Sequence, residues 1–396
     1  MKKCIKFLEI VLVIILLFTG IWYLFGEDGP FSERGQYYYS IFLEKMDSFK
    51  EKIGMEVEEP EESEEALVAE TEENEEIDTT EDVVLEDTSI VFTGDVLLSD
   101  YVLENYDAGG IESVIEPDLL DILNSATVLM INNEFPYSLR GTEAEDKQYT
   151  FRVDPKYVSV LTDLGVDIAG IANNHVLDYG KDALSDTFDT IAGANIEYTG
   201  AGNSLEEASK LIVETDAYGR TYGFLAASHV IPVYSWNVTD SQPGVFCFYD
   251  ETDLLEAVEE ASKQVDYLYV FLHWGVEHTE ELEDYQVTIG HELIDAGCEA
   301  VIGMHSHCLQ PIEYYNGKPI FYSLGNFIFN SSITSGGACE FIYDEEGNLK
   351  VRIIPINATN AYTYKAFSES DTSIFDHLED ISDTVTIDDE GFIAPK

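Results

Sequence analysis

Basic side chains are scarce in this chain. Its 396 residues hold 20 Lys and Arg against 78 Asp and Glu, a formal net charge of −58. A surface so poor in cations cannot track a phosphate backbone or dock by charge on anionic lipid headgroups. Nucleic acid is therefore excluded as a partner. Cysteine is also sparse: Cys4 lies in the first apolar segment, and Cys247, Cys298, Cys308 and Cys339 form no C-x-x-C pair. A zinc knuckle and a disulfide framework are excluded with it. There is no internal repeat, and long hydrophobic runs are missing everywhere but at the start.

That one run extends from Ile10 to Phe25, interrupted only by Thr19 and Gly20, behind Lys2, Lys3 and Lys6. With Phe7 and Leu8 it is about long enough to cross a bilayer. It ends in Trp22-Tyr23-Leu24-Phe25, which suits an interfacial aromatic belt, and no A-x-A-like cleavage site follows. Residues 1–26 are expected to be a cytoplasmic tip and an uncleaved signal anchor, leaving the rest of a single-pass protein outside the cell membrane. Residues 27–87 read as an acidic linker, with a short helix around Tyr37–Lys52. Between Glu56 and Asp82, 15 of 27 residues are acidic and none is basic, so the segment repels itself and has little apolar surface to bury.

From Thr88 the texture becomes strand–helix alternation. Helices are expected at Ser113–Ser125, Lys156–Leu164, Lys181–Ala194, Thr252–Lys263 and Asp284–Ala296, each between apolar runs of strand character. Hairpins are expected at Leu211–Thr215 with Thr221–Ala227 and at Glu340–Tyr343 with Leu349–Pro355. These antiparallel pairs predict mixed sheets in an α/β domain over 88–360. An acidic tail, 361–396, would carry one short helix around Phe375, Leu378 and Ile381.

Five of the apolar runs end at once in residues of metal-ligand type. They close on Gly94-Asp95, on Asn132-Asn133-Glu134, on Asn173-Asn174-His175, on His273-Trp274-Gly275, and on His305-Ser306-His307. Ligand sites of α/β folds lie at the carboxyl ends of strands, and Asp, Glu, Asn and His together are the donor mixture of a divalent-metal hydrolase. Two carboxylates at neighbouring strand ends, Asp95 and Glu134, repel each other unless a cation lies between them. In an extended segment His305 and His307, two apart, would face the same way. Asp178 has two readings, the cap of the Lys181 helix or the residue that orients His175. Arg152 could clamp an anionic group or pair with Asp154. Asn326, at the end of Phe321-Tyr322-Ser323-Leu324-Gly325, borders the site.

The series Gly94-Asp95, Asn133-Glu134, Asn173-Asn174-His175-x-x-Asp178-x-Gly180, His273-Trp274-Gly275-x-Glu277, Gly303-x-His305-x-His307 and Tyr322-Ser323-Leu324-Gly325-Asn326-Phe327 resembles the CapA family of capsule synthesis and poly-γ-glutamate biosynthesis, over roughly Thr88 to Asn330. The resemblance implies a four-layer α/β/β/α sandwich of metallophosphoesterase type and two divalent ions, Mn, Zn or Fe. It implies that Asp95 and His307 bind the first ion, that Asn174, His273 and His305 bind the second, and that Glu134 bridges them. His175, with Asp178, would be the acid or transition-state stabiliser. Leu97 departs from the superfamily pattern, which has a His two residues after the first Asp, so unequal sites are expected. Implied partners are the membrane and poly-γ-glutamate or the capsule synthesis and export proteins.

Three functions fit these residues. The first is a metal-dependent hydrolase of phosphoesters or γ-glutamyl amides, the second a non-catalytic polymer-handling or assembly factor, and the third a purely structural metal fold. All three share the topology, which is testable. Protease added to intact protoplasts is expected to remove the domain, and full protection alongside a cleaved surface control would overturn the placement.

Overall fold

The structure, a computed structural model, describes residues 86–367 and 372–396, all within the unit Glu81–Lys396. The expected membrane span and all but the last two residues of the acidic linker lie outside the described residues. Among the described residues no helix is long and apolar enough to cross a membrane.

The larger of two main sheets is built from β1 (Thr88–Val96), β2 (Val128–Asn133), β3 (Ile168–Gly170), β4 (Glu197–Thr199), β13 (Asn326–Ile328), β14 (Ser332–Tyr343), β15 (Leu349–Thr359), β16 (Tyr362–Lys365), β17 (Val385–Ile387) and β18 (Phe392–Pro395). Its main path runs β17-β18-β15-β14-β1-β2-β3-β4, with β13 paired to β1 and β16 to β15. The smaller sheet holds β6 (Ile212–Thr215), β7 (Thr221–Ser228), β9 (Tyr267–His273), β10 (Ala300–Met304), β11 (Ile312–Tyr315) and β12 (Lys318–Phe321), in the order β11-β12-β10-β9-β7-β6. A ribbon of β5 (Ala201–Gly202) and β8 (Gly244–Val245) stands apart. Both sheets are mixed: β1 to β4 run parallel, as do β7, β9, β10 and β12, while β6–β7 and β14–β15 are the two expected hairpins, the second longer than its sequence signal.

The five expected helices are present. They are α2 (Pro117–Ser125), α3 (Ser159–Asp163), α4 (Gly180–Gly193), α6 (Thr252–Ala261) and α7 (Asp284–Asp295). The stretch expected to be helical from Ser113 is broken, because Pro117 lacks an N–H and opens a helix at its first position. Helix α1 (Asp100–Gly109) had no periodic signal to betray it, since only Val102 is fully buried. A one-turn α5 (Leu205–Ala208) is likewise additional. Residues 361–396 are more than a tail around one helix. Besides α8 (Ser373–Asp380) they contribute β16, β17 and β18 to the larger sheet, with Phe375, Leu378, Val385 and Ile393 in its core.

The sheets meet on aromatic faces. Phe92 of β1 lies against Tyr269 and Phe271 of β9, with ring centroids 5.1 and 5.8 Å away, and against Phe341 of β14 at 5.9 Å. The strand period of two sends the alternate residues Leu268, Val270 and Leu272 to the other face, where they join Leu254 and Val258 of α6 and Leu293 of α7. Helices α1 to α4 contribute Val102, Leu119, Leu161 and Leu184 to the core of the larger sheet.

At the amino-terminal end of β1 a polar clamp joins both sheets. Asp216, fully buried in its side chain, accepts from Thr88 Oγ1 (2.8 Å), Arg220 Nε (2.6 Å) and Tyr222 OH (2.9 Å), while Arg220 Nη1 donates to the Asp344 carbonyl (2.6 Å). Burial pushes the Asp216 carboxyl up, but the bonds from Arg220 and Thr88 prevail and hold it below the usual range. A depressed folded pKa means that the contribution is complete above the unfolded value of about 3.9 and is lost as pH falls through the lower folded value. Asp216→Asn is expected to cost about 3 kcal/mol near neutrality. The gap between wild type and variant in chemical denaturation is expected to close below about pH 4; a gap independent of pH would refute the assignment.

Candidate metal centre

The opposite end of β1 carries Asp95, which lies opposite Asn132 on β2. Glycine is required just before it: a Cβ on Gly94 would lie 2.2 Å from the Gly325 carbonyl oxygen. That close approach lets the Asp95 N–H donate to Gly325 O at 2.8 Å. Asp95 is fully buried and well supplied. Its Oδ1 accepts from Asn132 Nδ2 (2.7 Å), and its Oδ2 accepts from the His305 N–H (3.2 Å) and lies 3.2 Å from His307 Nδ1. Glu134, the residue after β2, is also fully buried, yet neither carboxylate oxygen has a hydrogen-bond partner among the described residues. Burial first, and then the charge of Asp95, hold its carboxyl well above the ordinary range, against the opposing pull of His307 and Lys147.

The smaller sheet supplies the histidines. His273 ends β9; Asn132 Nδ2 donates to its Nδ1 (3.3 Å), which places the proton on Nε2, 2.9 Å from Asn174 Oδ1 and 3.6 Å from Glu134 Oε1. Its ring centroid is 4.5 Å from that of His305. His305 and His307 follow β10, though not as the extended pair expected from their spacing. Both have positive φ, 91° and 56°, a conformation that costs a non-glycine residue about 1–3 kcal/mol and clusters at functional sites. Burial and the charge of His307 push His305 down to about 3, and its buried Nδ1 has no partner among the described residues. Burial also lowers His307, but Asp95 and Glu134 outweigh it and raise the group to about 10. Asn326 Oδ1, an acceptor, lies 2.9 Å from the same His307 Nδ1, so the expected border residue touches the cluster directly.

The third wall is the turn after β3. Asn173 holds it by four bonds: Oδ1 accepts from the N–H groups of His175 and Val176, and Nδ2 donates to Asn132 Oδ1 and the Asn133 carbonyl. Of the two readings of Asp178 the structure takes one. Helix α4 has Tyr179 at its cap position with no side-chain bond, and Asp178 Oδ2 instead lies 2.7 Å from His175 Nδ1 and accepts from the Phe151 N–H at 2.7 Å. Burial lowers His175, with Asp178 opposing.

Lys147, to which the sequence reading gives no role, bonds Asp178 Oδ1 and the Asn174 carbonyl and lies 2.9 Å from His175 Nδ1. Arg152 does not pair with Asp154. It donates to the Arg140 carbonyl (3.0 Å) and stacks over Tyr179, 4.1 Å from the ring centroid, while Asp154 accepts from the Lys156 N–H. Arg140, Lys147, Arg152 and Lys156 all fall between the Glu134 and Asn173 motifs, and nothing local tells which of them turns inward.

Three groups of donor atoms lie within 4.8 Å of one another: Glu134 with His273 and His305, Asp95 with Glu134 and His307, and Glu277 with His305 and His307. His175 belongs to none of them. The residues fit a divalent cation. Glu134 is a carboxylate stripped of water without a donor, it is shared by two groups, and the proton between His273 Nε2 and Asn174 Oδ1 occupies a place that an ion can take.

An α/β protein whose strand ends gather a metal-type cluster is the class that fold and site define. Residues 89–331 match the family described as Bacterial capsule synthesis protein PGA_cap, and the chain belongs to that family. It is 30% identical over 280 residues to the PGA biosynthesis protein CapA of Bacillus subtilis, covering 69% of this chain and 72% of that one. The capsule biosynthesis protein CapA of Bacillus anthracis is 25% identical over 69% of this chain and 68% of its own length. A probable polyglutamine synthesis accessory protein of Mycobacterium tuberculosis is 34% identical, but the match covers only 52% of this chain and 56% of that one. A solved putative 5'-nucleotidase from Staphylococcus aureus aligns at a TM-score of 0.42 and 15% identity, over 75% of this chain and 59% of that one, too slight a likeness to carry weight.

Lys147→Met tests the inward cation. Asp178 would keep its buried charge without its ion-pair partner, and a loss of about 3 kcal/mol is expected in denaturant unfolding. Lys147→Arg is not expected to restore it, because the planar fork differs from a compact ammonium. Unchanged stability in the Met variant would show that the ammonium is dispensable to the turn.

Proposed function

We propose that this protein is a membrane-anchored, extracytoplasmic hydrolase of capsule or poly-γ-glutamate production, with a two-ion centre of metallophosphoesterase type. The observation that carries the reading is Glu134, fully buried, unbonded, and common to two donor groups. Asp95, Glu134 and His307 would hold one ion, and Glu134, Asn174, His273 and His305 the other. When bound, two such ions act as Lewis acids toward an ester or amide and lower the pKa of water. The chain's own part is to position and to exclude. His175, its Nδ1 given to Asp178, keeps Nε2 for proton exchange with a leaving group. Phe151 packs on the His175 ring at 4.4 Å and Phe329 on His307 at 4.8 Å, so apolar rings shield both imidazoles from water. The PGA in the name of the Bacillus subtilis relative, read as poly-γ-glutamate, sets the alternative chemistry, a γ-glutamyl amide, beside a phosphoester.

Metal analysis of the full chain separates these roles. Glu134→Gln and His305→Ala are each expected to lose bound metal, about tenfold or more in affinity. His175→Ala is expected to keep its metal and to lose about 100-fold or more in turnover. Phosphoesters and γ-glutamyl peptides, offered with Mn, Zn and Fe, are the substrates to screen. A Glu134→Gln variant that binds metal like wild type would defeat the centre. Metal bound without hydrolysis of either class would leave a polymer-handling factor.

A further inference from the structure

Of the group formed by Glu277, His305 and His307, the exposed Glu277 has no role in the reading above. We infer that Glu277 is an additional metal ligand, which closes the centre from the surface; the inference rests on the centre being metal-binding. Two independent observations lead to it.

The first is a shortage of donors. The side built on β1 offers Asp95, Glu134 and His307, whereas hard divalent ions commonly take six or more ligands and even zinc takes four. Leu97, the residue just after β1, is apolar and 3% exposed. His305, at the same place, holds a buried Nδ1 with no partner among the described residues.

The second is a carboxylate delivered to that place by a fixed backbone. Trp274, fully buried, donates Nε1–H to the Tyr322 carbonyl at 2.8 Å. Gly275 turns with φ of 89°, its N–H donating to Tyr285 OH at 2.7 Å. Three residues on, His278 has φ of 60° and its N–H donates to the carbonyl of Ser306, the residue between the two histidines, at 2.7 Å. Glu277 is thus held between two anchors, with a carboxylate oxygen within 4.8 Å of donor atoms of His305 and His307. Among the described residues its side chain makes no hydrogen bond or ion pair, although it is exposed and free to turn outward.

The test is calorimetric titration of the metal-stripped full chain with Mn2+, for wild type, Glu277→Gln and Glu281→Gln. Glu281 is an exposed neighbour outside every donor group, so its variant carries the same charge change without a ligand loss. Wild type and Glu281→Gln are expected to coincide, and Glu277→Gln is expected to weaken one site by about tenfold or more and spare the other. If Glu277→Gln coincides with Glu281→Gln, or weakens all binding alike, Glu277 is no ligand although the centre stands. If wild type takes up no Mn2+ beyond weak binding common to all three, the centre itself fails and this inference with it.

Discussion

Two carboxylates without water, Asp95 and Glu134, sit at the ends of adjacent parallel strands and set the terms for the residues around them. Burying a charge costs several kcal/mol unless it is paired and hydrogen-bonded. Asp95 is compensated by an amide, a backbone N–H and the His307 imidazole. Glu134 has no hydrogen bond among the described residues, and the charges of His307 and Lys147 offset its burial only in part. The histidines divide accordingly. His307 touches Asp95 and is raised to about 10, while His305, whose Nδ1 touches nothing, falls to about 3. With no ion bound, two imidazoles two residues apart thus differ in charge: one serves as the cation that Asp95 needs, and the other is neutral and keeps a lone pair free.

The donors come from both sheets. Asp95, Glu134 and Asn174 lie at or after strand ends of the larger one, and His273, His305 and His307 at or after strand ends of the smaller. The bonds between His273 and Asn132 and Asn174, and those that Asp95 accepts from His305 and shares with His307, already join the sheets at this end. Asp216 and Arg220 join them at the other, with the aromatic layer around Phe92 between. The positive φ of His305 and His307 is strain that a loosely held loop would release. It persists because both ends of the segment are tied, at Asp95 and at Asn326.

Those same ties explain which parts of the site could be seen in the sequence. Asp95, Glu134, Asn174 and His273 were legible because parallel strands in register carry their ends to one edge, so an apolar run followed by a ligand is a statement about position. His305 and His307 were legible as residues but not in their backbone, since the period of two applies only while the chain remains a strand, and β10 ends at Met304. Lys147 was not separable from Arg140, Arg152 and Lys156: its inward course is decided by Asp178 and the Asn174 carbonyl, a turn distant in sequence. Asp178 had two plausible local bonds, and the choice fell to the histidine three residues before it. The last strands escaped because segments of three or four residues such as Val385–Ile387, set between acidic flanks, become strands only by finding an edge already built.

The charge of the whole chain gives the centre its further meaning. With 78 acidic residues against 20 basic, the surface repels an approaching anion. Inside, the cations in contact with the cluster are Lys147, whose ammonium is engaged by Asp178 and the Asn174 carbonyl, and His307, which faces Asp95. Neither is free for a substrate. An anionic ester or a glutamyl carboxylate would therefore meet Glu134, which has no hydrogen-bond donor, with neither of these cations free to attract it. Under the proposed function the attraction has to come from bound cations, and the same ions that relieve Glu134 would turn a repulsive pocket into one that accepts a negative group. Metal binding and substrate binding then have a single electrostatic origin, the carboxylate that the fold buries without a partner.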